Sequence, residues 1–85
     1  MNNKEGLRVK VSWRDAMIYS AKTKNVESIV PALMITVGTL LKDEEEGIVI
    51  KDPFTVRAED GVVPHKENPT FLYVPSGMIV MIEEL

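Results

Sequence analysis

Between residues 33 and 50, two apolar, β-branched arms flank four consecutive acidic residues, Asp43, Glu44, Glu45 and Glu46, closed by Gly47. Few patterns restrict a short chain more. The arms carry Val, Ile and Thr, which suit a pleated surface, and the charged stretch between them has room only for a turn. A β-hairpin follows, with Gly47 placed to supply a positive φ. The arm before the turn, residues 32–41, is apolar on both faces apart from Thr36, Gly38 and Thr39. It therefore predicts cover on both sides, by a core and by a loop or another subunit. Gly38, in the middle of that arm, marks a bend or a close backbone approach.

After the turn, Ile48, Ile50, Phe54, Val56 and Ala58 share one parity, while Lys51, Pro53, Thr55, Arg57 and Glu59 share the other. An unbroken phase predicts one long bent strand with the even residues inward. Pro53 has no amide hydrogen and belongs at a bulge or where the strand crosses between sheets. Asp60 and Gly61 signal a second turn, and Pro64 and Pro69 stiffen the ends of a loop. A fourth strand is expected at 71–74 and a fifth at 78–82, joined by Pro75, Ser76 and Gly77 through a single helical turn. Upstream, Leu7, Val9, Val11 and Trp13 alternate with Arg8, Lys10 and Ser12, the pattern of a half-buried first strand. Residues 14–31 form a long excursion. In it, Asp15 either caps a helical turn over 16–19, or Met17 and Tyr19 extend the strand; Pro31 biases Val30 towards extended backbone. Residues 1–6 are polar and expected to fray as a flexible N-terminus, leaving 7–85 as a single small domain.

Eighty-five residues suffice for one domain with one core. The chain has no cysteine, which excludes a disulfide framework and a thiolate metal site and fits a reducing, cytoplasmic setting. The apolar runs are too short to cross a bilayer, and residues 1–21 do not read as a signal peptide, so no membrane association is expected. Net charge is −3 and uneven: residues 1–28 hold six basic and three acidic side chains, the remainder four basic and ten acidic. The basic end can face a phosphate-bearing ligand. The acidic remainder argues against broad nucleic-acid affinity, so RNA is a partner in reserve.

Catalytic chemistry finds no foothold. His65 is the single histidine and has no second ligand near it in sequence. Ser12, Ser20, Ser28 and Ser76 lack a nucleophile context, and the glycines do not cluster into a phosphate loop. Glu59 and Asp60 are adjacent and so point apart on a strand end. The run 43–46 reads as a solvated turn that discourages edge pairing, since consecutive carboxylates rarely converge on one ion. The chain is expected to be no enzyme and to hold no metal and no cofactor. Two groups remain. Trp13, Arg14, Tyr19, Lys22 and Lys24 combine aromatic and basic side chains suited to stacking a ring and neutralising a phosphate, although parity assigns Trp13 to the core. Met78, Ile79, Val80, Met81 and Ile82 are five consecutive apolar residues, more than one small core can bury, which points to a subunit interface and a homo-oligomer.

Five short strands with a long loop after the first, a tight hairpin and a brief turn before the last describe an all-β, five-stranded barrel. This layout resembles SH3-like and Sm-like barrels. Residues 74–77 leading into 78–82 are similar to the turn and terminal strand of an SH3-like domain. Val37, Gly38, Thr39 and Leu40 leading into 48–50 are similar to the first half of an Sm-like domain. The chain as a whole resembles a family of small uncharacterised proteins of phages and bacterial genomes, through Trp13, Arg14, Asp15 and Ala16, Pro31 and Ala32, residues 37–40 and residues 74–79. The motifs of that family are framework residues and bring no activity with them. The doubly apolar strands at 32–41 and 78–82, with no catalytic set, lead to the expectation of a self-associating binding or assembly module, with an Sm-like RNA-binding ring or a nucleotide or small-molecule site between subunits as the alternatives.

Overall fold

The computed structural model describes residues 4–15, 32–64 and 69–85. Five strands follow one another: β1 (Arg8–Asp15), β2 (Ala32–Asp43), β3 (Gly47–Arg57), β4 (Phe71–Pro75) and β5 (Ile79–Glu84), with a 3₁₀ turn at Ser76–Met78. All pair antiparallel in one sheet ordered β4-β3-β2-β1-β5. The chain is thus all-β, as the alternation of its apolar residues requires. No ladder joins β4 to β5, so the sheet is open and not closed into the expected barrel.

The first strand is as the sequence pattern predicts, with Val9, Val11 and Trp13 buried; Leu7 lies before it and is exposed. Asp15 is the last residue of β1 and pairs with Ala32; the helical turn over 16–19 that it was expected to cap lies outside the described residues. The course of 16–31, including the proposed continuation through Met17 and Tyr19, lies outside the described residues. Glu5 and Gly6, in the segment expected to fray, bond to β2: Gly6 donates its amide to Leu40 O at 2.6 Å, and Glu5 Oε2 accepts from Asp43 N at 2.9 Å.

On β2, Met34, Thr36, Gly38 and Leu40 are buried, and Leu33, Ile35 and Val37 on the other face are half-buried. Gly38 is a close-approach site. A methyl group there would overlap Ile50 Cγ2 and stand 2.8 Å from the Lys51 carbonyl oxygen. Val37 pairs with Phe54 and Thr39 with Lys51, so Gly38 alone faces Asp52 and Pro53. Pro53 therefore sits at a bulge, where its missing amide hydrogen removes no ladder bond. Asp52 takes a φ of 49°, a left-handed conformation that Asp tolerates better than most residues. Its amide donates to Thr70 O at 2.9 Å.

This bulge corrects the phase expected for β3. The strand is long and bent as predicted, but the extra residue turns its parity over: Ile48, Ile50 and Pro53 are buried, whereas Phe54 is 60% exposed. Even residues point inward only before Asp52. Gly47 also needs a different explanation, since its φ is not positive. It is glycine because a Cβ would stand 2.6 Å from Tyr73 Cζ and 2.7 Å from Val74 O.

The remaining turns match their signals. Gly61 has a φ of 71° and donates to Arg57 O at 2.8 Å, while Asp60 Oδ1 accepts from Val62 N at 3.0 Å. The 3₁₀ turn is tied to the acidic hairpin. Ser76 N donates to Glu46 O at 2.9 Å and its hydroxyl to Glu45 O, which gives Ser76 a structural role. Val9, Val11, Trp13, Met34, Leu40, Ile48, Ile50 and Val74 form the core, with Leu72, Met78, Ile79 and Ile82 packed against it.

Two substitutions separate the demands of the bulge. Gly38→Ala is expected to lower unfolding stability by about 1–3 kcal/mol through forced displacement of β3. Asp52→Gly, which relaxes a left-handed residue, is expected to leave the free energy of unfolding in urea unchanged or raised, and Asp52→Val to lower it by about 1 kcal/mol.

Candidate functional site

Trp13 stands near the end of β1, where β2 begins and β3 has just passed its bulge. Alternation buries the indole, which is 8% exposed. A buried indole N–H needs an acceptor, and Trp13 Nε1 donates to Thr36 Oγ1 at 2.9 Å. Thr36, fully buried in the middle of β2, is in turn 2.7 Å from Thr55 Oγ1 on β3. One hydrogen-bonded chain thus spans three adjacent strands and satisfies each polar group it takes from water. It also fixes the rotation of the indole.

Asp15, two residues beyond Trp13, lies on the same face of β1 and is half-buried. Beside these two residues opens a cavity of about 260 Å³, lined by Trp13, Asp15, Met34, Pro53, Phe71 and Leu72 among others. The bulge delivers Pro53 to it, and β4 delivers Phe71 and Leu72. The walls are apolar and aromatic, with the Asp15 carboxylate and the Thr55 hydroxyl as side-chain polar groups. Such concave, mostly apolar surfaces with few placed polar groups are where small ligands bind.

The residues proposed from sequence divide between places. Trp13 is in the core and at the cavity. Arg14 is exposed on the opposite face of β1, so the two do not converge. Tyr19, Lys22 and Lys24 lie outside the described residues, as does His65. Of the apolar run 78–82, Met78, Ile79 and Ile82 pack against the core, whereas Val80 and Met81 are more than half exposed. Val80 is the extra residue of a register shift, since Trp13 pairs with Ile79 and Ser12 with Met81. At the acidic hairpin, Lys42 Nζ and Glu44 Oε1 are 4.0 Å apart in the open. Among the described residues no three acidic or histidine side chains gather where a metal ion could bind.

Sequence reasoning missed Asp15, Pro53 and Phe71 as site residues. A signal existed for the first: Asp15 has the parity of Val9, Val11 and Trp13, which places a carboxylate on the inner face. For the other two there was none, because their positions depend on the phase reversal in β3 and on where β4 docks. No family model, no curated protein and no solved structure matches the chain.

The hydroxyl chain can be tested by a double-mutant cycle. Thr36→Val is expected to destabilise by about 1–3 kcal/mol because it leaves the buried indole N–H without an acceptor, and Trp13→Phe by a similar amount through the lost hydrogen bond and the smaller ring. The double variant should fall short of the sum by about 0.5–1.5 kcal/mol in urea unfolding, the coupling of a direct contact.

Proposed function

We propose that this protein is a non-enzymatic binding and assembly module that self-associates through the two edges of its sheet. The observation that carries this reading is the pair of edge strands, each joined to a neighbour on one side alone among the described residues and both bearing exposed apolar side chains. Phe71 and Tyr73 on β4 and Val80 and Met81 on β5 are each more than half exposed. Free edges with apolar side chains are templates for pairing with another chain. Since β4 and β5 are different surfaces, joining one to the other is a head-to-tail contact, which closes a ring when the rotation allows. The strand order and the 3₁₀ turn between β4 and β5 support an SH3-like or Sm-like interpretation of the fold.

A second reading, an Sm-like RNA-binding ring, draws on Arg8, Lys10 and Arg14, which share the outward parity of β1. It ranks lower because Glu83 faces Lys10 at 3.9 Å and the rest of the chain is acidic. Saturable RNA binding that weakens as salt rises would promote it; no binding at low ionic strength removes it.

Light scattering is expected to find an oligomer at micromolar concentration. Tyr73→Lys on β4, or Met81→Lys on β5, should each yield a folded monomer, since a head-to-tail contact is lost when either half is charged. A strict monomer at millimolar concentration overturns the assembly reading.

A further inference from the structure

The end of the sheet beyond Trp13 holds a carboxylate that neither the fold nor the assembly reading uses. The inner stripe of β1 runs Val9, Val11, Trp13 and then Asp15. A charged side chain on the inner side of a strand is seldom found without a partner. The Asp15 side chain makes no hydrogen bond or ion pair among the described residues. It lines the 260 Å³ cavity together with Trp13, Met34, Pro53, Phe71 and Leu72. Thr55 also reaches the cavity, but its hydroxyl is engaged by Thr36. Among the described lining residues the only charge is negative.

That pattern selects a ligand chemistry. A carboxylate in a largely apolar wall repels phosphates and carboxylates and attracts a cation. The volume falls below the roughly 300 Å³ at which sites for drug-sized ligands begin, so it suits one headgroup and is too small for a nucleotide. A bare ammonium would exchange its hydration for a single acceptor, a poor trade. An alkylated ammonium has no such loss: its alkyl groups meet Met34, Leu72 and Pro53, and its diffuse charge meets Asp15 and the aromatic walls. We propose that this cavity binds a small alkylated ammonium compound, with Asp15 as counter-ion and Trp13 and Phe71 as the aromatic wall.

The test uses the full chain, whose single tryptophan is Trp13 itself and reports directly on the site. Choline chloride and its uncharged isostere 3,3-dimethylbutan-1-ol are titrated at constant ionic strength while Trp13 emission is followed. The expected result is saturable binding of choline, at least about fivefold tighter than the alcohol. Asp15→Asn keeps the shape of the wall and should bring the two affinities together. Phe71→Leu, at a half-exposed position, should weaken choline more than the alcohol. A choline response that does not saturate, equal affinities for the two compounds, or an Asp15→Asn variant that still prefers choline overturns the proposal. Should Asp15→Asn fail to fold, as its amide spectrum would show, the isostere comparison on the unaltered chain and Phe71→Leu decide the matter alone.

Discussion

The close approach of β2 to β3 at Gly38 sets the rest of the structure. With no Cβ at that position, the Ile50 side chain and the Lys51 carbonyl can crowd against β2, and β3 can carry two residues, Asp52 and Pro53, opposite one. The consequence reaches beyond the bulge. Because side chains alternate strictly along a strand, one extra residue exchanges the faces of all that follow. Phe54, which would otherwise be a core aromatic, faces outward, and Thr55 is turned towards Thr36.

The hydroxyl chain depends on that exchange. Thr36 is a polar residue in the centre of the central strand, and by itself it would be a defect. It becomes acceptable because Trp13 supplies a donor from β1 and Thr55 a hydroxyl from β3. The three strands are thereby held in one relative register at the end where the cavity opens, since only one alignment satisfies all three groups. Packing against Leu40, Ile48 and Ile50 supplies most of the stabilisation. The polar chain supplies specificity and holds the indole in a defined rotation.

Local patterns were readable in the sequence wherever local chemistry decides. The alternation of Val9, Val11 and Trp13, the Asp60–Gly61 turn, the helical turn after Pro75 and the glycine within β2 all follow from residue type and neighbours. What could not be read depended on distant partners. The phase reversal after Asp52 needs the knowledge that Gly38 lies opposite. Gly47 looked like a turn glycine and is one whose space is taken by Tyr73 from another strand. Asp15 offered a local signal for a helix cap, and its pairing with Ala32 shows that β1 runs as far as this residue, which depends on a distant partner. At the site, Trp13 was singled out but grouped with Arg14, which alternation sends to the other face. The residues that do converge come from four strands.

An open sheet leaves its edges to be explained, and here edge and cavity share a residue. Phe71 begins the edge strand β4 and also lines the cavity beside Trp13. A partner strand laid along β4 would bury part of the same ring that a bound cation contacts. Two binding events that act on one side chain cannot be energetically independent, and the coupling must be reciprocal: whatever assembly does to ligand affinity, ligand does to assembly by the same factor. β5, at the opposite edge, offers no such link through Val80 or Met81, which do not line the cavity. The asymmetry follows from where β3 bends. By placing Pro53 next to the start of β4, the bulge brings one edge of the sheet to the cavity and leaves the other apart.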